Sequence, residues 1–336
     1  MVTDKSIVYS ASWYPHHIAP DLDEIKAAGC NSITLTVSET DWKIFARSRK
    51  MAIEMAHERD LKTYIDIHGF GIFPSAQRGS EYLVRHPDKR QIYSNGRVGF
   101  FACPNDPEYL AWLKLTTFEM IEYLEADGTI WDEPSLQSLG DYPEVWACRC
   151  KHCRARFYDE YHAEMPTRLS DNVLKFRQDS LIRFMSEMFK NSKAAGSQLD
   201  ALCLMPVDRS LSRGTFERAK HGVIDWEPFA QIPGLDVFGT NPYWIHNNTW
   251  EIFLDNSTEV IRLAKKYGLK SQIWVQLAWV PEGREPDIVK SVEKAAELGA
   301  DMIAGWSYKG EPGSEKFMAE NPDLAWQSLS AAFRQL

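Results

Sequence analysis

At 336 residues, 44% hydrophobic and 25% charged, the chain has an ordinary globular composition and is long enough to bury a substantial core. Its formal net charge of −9 argues against nucleic acid and anionic membranes as partners, since both favour basic patches. No apolar run is long enough to span a bilayer, and no Gly/Ser/Pro-rich linker divides the chain, so residues 1–336 are expected to form a single domain.

The opening MVTDKSIVYSASWYP carries no signal-peptide apolar stretch and passes straight into strand-like sequence, which predicts a cytoplasmic protein. The Asn-x-Ser/Thr matches at Asn247 and Asn256 are then expected to be chance, and the six cysteines are expected to be reduced. Strand-like runs follow at Ile7–Ser12, Ser32–Val37, Thr63–His68, Gly128–Asp132, Ala201–Val207, Val237–Tyr243, Gln272–Leu277 and Met302–Tyr308. Helical patterns lie between them at Asp21–Ala28, Asp41–Glu58, Pro107–Leu124, Asn172–Ala195, Trp250–Tyr267 and Asp287–Leu298. Strands that alternate with helices imply a parallel sheet, because each parallel pair needs a crossover. Eight such units closed on themselves give a (β/α)8 TIM barrel. The open doubly wound alternative usually has a Gly-rich phosphate turn after its first strand, and here that turn reads Ser-Trp-Tyr-Pro-His-His.

A barrel places its chemistry at the C-terminal ends of its strands. The residues there include Trp13, His16 and His17; Glu39 and Trp42; Asp66 and His68; Asp132 and Glu133; Asp208; Asn241, Tyr243 and Trp244; Trp274, Gln276 and Trp279; and Trp306, Tyr308 and Glu311. Carboxylates and carboxamides suit sugar hydroxyls, and aromatic faces suit the C–H faces of sugar rings. Any one of these aromatics also suits simple packing of the barrel rim. A metal-dependent hydrolase barrel often carries His-x-His after its first strand, a spacing that adjacent His16 and His17 spoil. A carbohydrate-binding barrel without catalysis stays open beside an enzyme.

With these residues in view, the chain resembles the glycoside hydrolase family 42 β-galactosidases of the clan A barrels. Four segments carry the likeness: Tyr14-Pro15 with Asp21-Leu-Asp-Glu-Ile-Lys-Ala-Ala-Gly29; Phe101-Ala-Cys103-Pro-Asn-Asp106-Pro; Cys148-Arg-Cys150-Lys-His-Cys153-Arg-Ala-Arg-Phe157; and Gly299-Ala-Asp301 through Trp306 to Gly313-Ser-Glu315-Lys-Phe317. It covers the barrel alone, without the family's further C-terminal domains. The resemblance implies that Glu133, in Gly128-Thr-Ile-Trp-Asp-Glu-Pro134, is the acid/base. The neighbouring Asp132 is expected to raise its pKa, because adjacent negative charges disfavour each other. An acidic pair before Pro also suits a solvated loop.

Two departures from the family stand out. Its nucleophilic Glu ends the seventh strand, which here reads Gln272-Ile-Trp-Val-Gln-Leu-Ala-Trp-Val-Pro281, so Gln276 or Leu277 occupies that place and neither is a nucleophile. Its Asn before the acid/base is replaced by Asp132. Three routes stay open: inversion, with Asp208, Glu311 or Glu282 as the base; retention through another nucleophile; or binding without cleavage. Substrate contacts are expected from Trp13, His16, Asp66, His68, Asn241, Tyr243, Trp274, Gln276 and Trp306. Cys103, Cys148, Cys150 and Cys153 are expected to hold a structural zinc, its charge offset by Arg149, Lys151, His152 and Arg154, with no catalytic cofactor. Cys30 and Cys203 fit buried thiols. A carbohydrate is the expected partner, and a homo-oligomer is compatible with the sequence.

Overall fold

The computed structural model describes residues 1–10, 14–73, 79–139, 142–207, 220–246, 248–311 and 314–336. Eight parallel strands close into a barrel in sequence order: Asp4–Tyr9, Ser32–Val37, Lys62–Ile67, Gly128–Asp132, Leu199–Leu204, Val237–Thr240, Lys270–Gln276 and Met302–Trp306. Closure comes from pairing of the first strand with the eighth, Asp4 opposite Met302 through Ile7 opposite Gly305. Helices cover the outside, including Pro15–Ala27, Glu39–His57, Pro107–Leu124, Asp171–Ala194, Trp250–Tyr267, Pro286–Leu298 and Pro322–Gln335. Among the described residues no helix is long and apolar enough to cross a membrane.

Alternation along the strands sorts the side chains into two cores. Val8, Tyr64, Ile130, Ala201, Cys203, Val237, Trp274, Met302 and Ala304 fill the barrel itself. The intervening residues, such as Ile7, Ile33, Ile65, Trp131 and Leu202, pack outward against the helices. Local signals fix the helix starts. Ser38 caps Glu39–His57 in a reciprocal box with Asp41, and Asp106 caps Pro107–Leu124 with Pro107 in the first turn. At Gly128 a Cβ would meet Leu199 O at 2.4 Å, so the fourth and fifth strands approach as they do only because this residue has no side chain.

The first strand starts at Asp4 rather than Ile7 because the barrel floor is polar. Asp4 is buried and accepts hydrogen bonds from Ser32 Oγ at 2.5 Å and Tyr64 OH at 2.8 Å. Asn256 is fully buried with its carboxamide on the Val207 backbone, which leaves it no access to a glycosylating enzyme.

Two long inserts depart from the plain repeat. After the third strand the chain forms an antiparallel pair, Arg90–Ile92 with Val98–Ala102. After the fourth it forms a second pair, Ser138–Leu139 with Tyr142–Trp146, and then the helix Lys151–Tyr161. The inserts are tied together by a Tyr93–Ala147 bridge and by hydrogen bonds from Ser94 N to Trp146 O and from Arg149 N to Ile92 O.

Candidate active site

The C-terminal mouth of the barrel opens into a cavity of about 430 Å³, within the usual size of small-ligand sites. Asp66 and Asp132 reach it by alternation, since each lies two residues beyond an inward side chain of its strand, Tyr64 and Ile130. Glu133 does not: strict alternation would turn it outward with Trp131. Its backbone is instead left-handed, φ +50°, while its N–H still bonds Cys203 O at 2.9 Å, and its side chain lines the cavity. Such a conformation costs a non-glycine residue on the order of 1–3 kcal/mol and clusters at functional sites.

Asn241, just past the sixth strand, donates from Nδ2 to Glu133 Oε1 at 2.5 Å. Burial pushes the Glu133 carboxyl above its ordinary value, and the Asn241 hydrogen bond opposes this. The mutual repulsion expected to act on Glu133 falls on its neighbours instead. Asp66 is pushed up to about 8 by burial and then by the charge of Glu133. Asp132 is raised by burial, then by Glu133 and Asp66, against a hydrogen bond with Cys203. Glu311 enters the same cavity from beyond the eighth strand on a second left-handed backbone, φ +57°, and burial raises its carboxyl.

An aromatic wall lines the same cavity. Tyr243 stacks on Trp306 at 5.3 Å between centroids, Trp279 meets Trp306 edge-on at 4.8 Å, and Phe317 packs against both indoles. Trp274 and His68 complete the expected lining. The structure therefore brings together Asp66, His68, Asp132, Glu133, Asn241, Tyr243, Trp274, Trp306 and Glu311.

Other expected residues lie elsewhere. Gln276 is buried but faces two loop backbones: its Oε1 accepts from Ile245 N at 3.0 Å and its Nε2 donates to Ala278 O at 2.9 Å. His16 is exposed on the helix Pro15–Ala27, 4.2 Å from His17 between ring centroids, and does not line the cavity. Glu282 is exposed, also outside the cavity. Trp13 and Asp208 lie outside the described residues. Glu39, Trp244 and Tyr308 turn to Ser80, Ser291 and Glu24 respectively, as packing of the rim requires.

Lining residues that sequence reasoning missed include Ser10 and Thr36, whose hydroxyls meet at 3.1 Å, and Asn248 and His221. Burial and the charges of Lys220 and Arg177 pull His221 down to about 4, so it faces the cavity as a neutral imidazole at neutral pH. It lies far from any strand, so no periodicity marks it.

Beside the mouth, Cys103, Cys148, Cys150 and Cys153 are buried and gather their sulfurs within 4.8 Å of one another, with Cys103 3.4 Å from Cys153 and 3.5 Å from Cys150. Four thiolates around one zinc at the usual Zn–S length of about 2.3 Å stand ~3.8 Å apart, so the quartet is close to the size such an ion requires. Arg149 donates to Met165 O, and Lys151 and Arg154 are exposed. A buried cation, Arg177, donates to Ala147 O at 2.6 Å; burial pulls it down to about 9 while Cys148 acts to raise it.

No protein-family profile and no curated protein sequence matches the chain. Solved structures do. The PgaB (BpsB) glycoside hydrolase domain from Bordetella bronchiseptica superposes with a TM-score of 0.65 over 98% of each chain, at 10% identity. The endo-1,4-β-mannanase from Rhizomucor miehei gives 0.62 over 99% of this chain and 95% of its own, at 11% identity. The chain thus shares, end to end, the barrel fold on which these glycoside hydrolases are built.

Proposed function

We propose that the protein hydrolyses a glycosidic bond, with Glu133 as the proton donor. The observation that carries this reading is Glu133 itself, turned over the mouth by a left-handed backbone, bonded to Asn241 and sharing its cavity with an aromatic wall and three further carboxyls. Burial favours the protonated form of its carboxyl, and the glycosidic oxygen would receive that proton as it leaves.

The second carboxylate in this proposal is Glu311. It follows the eighth strand, which stands across the barrel from the fourth, and no carboxyl stands at the end of the seventh. Inverting enzymes hold their two carboxyls about 6.5–9.5 Å apart to admit a water. Glu311 would take a proton from that water as its oxygen bonds the anomeric carbon and the bond to the leaving oxygen breaks. Proton NMR of the first-formed sugar is expected to show the anomer opposite to that of the substrate; net retention would reject this assignment and return the search to Asp132 or Asp208. Turnover of aryl glycosides and oligosaccharides tests the activity itself. Sugar binding without turnover would support a binding barrel in which Gln276 serves only to fix backbones.

The Asn241–Glu133 hydrogen bond gives a pH prediction. A bond donated to a carboxylate favours its ionised form, so removing it leaves burial unopposed and raises the pKa. Asn241→Leu is expected to move the alkaline limb of kcat/KM to higher pH. An unmoved or lowered limb would show that Asn241 does not tune the donor. The quartet Cys103, Cys148, Cys150 and Cys153 is proposed to hold one structural zinc, whose part is to fix the two inserts. A closed set of four thiolates leaves no position for water.

A further inference from the structure

Among the described residues that line the cavity there are four carboxyls, Asp66, Asp132, Glu133 and Glu311, and neither a lysine nor an arginine. Acidity alone does not identify a ligand, but the hydrogen bonding adds a second observation. Asn241 is 5% exposed, and while its Nδ2 serves Glu133, its Oδ1 has no hydrogen-bond partner among the described residues. Asp66, also 5% exposed, leaves its Oδ1 without a hydrogen-bond partner among the described residues, as does Asp132. Buried acceptors without donors are costly, so a site that holds three of them on one cavity is built for a ligand rich in donors.

A metal ion fits poorly. Among the described residues the groups arranged to hold one are the four cysteines, and the carboxyls of the mouth form no such group. An ammonium fits better. It carries three N–H donors, reaches its acceptors at hydrogen-bond rather than coordination length, and brings a positive charge that favours the ionised forms of Asp66 and Asp132, which burial and their acidic neighbours disfavour. Trp306 and Tyr243 line the same cavity, and aromatic rings there also suit a cation. Asp66, Asp132 and Glu133 line one cavity, so an amine received by the two aspartates would sit close to a glycosidic oxygen held at Glu133.

We propose that the pocket selects a 2-amino-2-deoxy sugar with a free, protonated amine, received by Asp66 and Asp132 with Asn241 Oδ1 as a third acceptor. This rests on the carbohydrate reading of the site and adds its substrate class. Calorimetric titration of the whole protein at pH 6.5 with glucosamine and galactosamine, against glucose, galactose and the two N-acetylated amino sugars, reads it without turnover. One of the amino sugars is expected to bind at least tenfold more tightly than its neutral and N-acetylated counterparts. Asp66→Asn and Asp132→Asn should each shrink that ratio, and a ratio unchanged in both variants overturns the assignment of the amine to these carboxyls. Equal or tighter binding of the neutral or N-acetylated sugars overturns the proposal, as does no binding by any of the six. An amine preference without turnover of any glycoside would leave this selectivity standing and remove the hydrolase; turnover of neutral glycosides without the preference would do the reverse.

Discussion

Glu133→Gln is expected to lower kcat/KM on an alkyl glycoside by about 10²–10⁴-fold, the usual contribution of a positioned general acid. The substitution keeps the shape of the side chain and an acceptor for Asn241 Nδ2, so the mouth should hold its geometry while losing the proton. The defect should depend on the leaving group. A dinitrophenolate departs without protonation, so dinitrophenyl glycosides should retain much more of their rate than alkyl glycosides. Cleavage of both classes at near-normal rates by well-folded Glu133→Gln would end the assignment. A uniform loss across leaving groups would point instead to a distorted pocket.

The next largest effect is expected from the cysteine quartet. Metal analysis of protein purified without added zinc should give about one zinc per chain. Cys103→Ser should lose that zinc and lower Tm by several degrees, because binding to a thiolate site is coupled to the folding of the segments that supply it. In a domain of this size ~1 kcal/mol moves Tm by about 2 °C, so even a fraction of the binding energy is measurable. Chelation, where it succeeds, should lower thermal stability before it lowers turnover. Well-folded protein with no metal and four freely titrating thiols would remove the site from consideration.

The barrel was legible in the sequence because each strand buries both faces and each covering helix repeats its apolar positions. Ser32–Val37 and Gly128–Asp132 appear with the boundaries their composition implies. The edges were less readable where polar residues do structural work: Asp4, Lys5 and Ser6 fall outside the run expected at Ile7–Ser12, yet they begin the strand because Ser32 and Tyr64 bond Asp4. The antiparallel pairs in the inserts escaped notice because strands of two to five residues leave no period to detect. In the site, position along the strands indicated Asp66, Asp132 and Asn241. It could not show that Glu133 escapes alternation through a positive φ, or that Gln276, on an inward-facing position, would be drawn to Ile245 and Ala278. Side-chain direction at a strand end depends on one or two dihedrals that composition does not encode.

The placing of the cysteines has a consequence for how such a barrel can be diversified. Cys103 closes the insert that follows Asp66 and His68, and the other three belong to the insert that follows Asp132 and Glu133. Neither segment can be exchanged with that of another barrel unless its neighbour travels with it, because a graft of one alone would strand an incomplete set of sulfurs in the interior. The two inserts therefore form a single heritable cassette that carries Asp66, Asp132 and Glu133 at its roots. Loop shuffling aimed at new substrates would have its freedom in the segments after the fifth to eighth strands, whose ends contribute Asn241 and the aromatic wall.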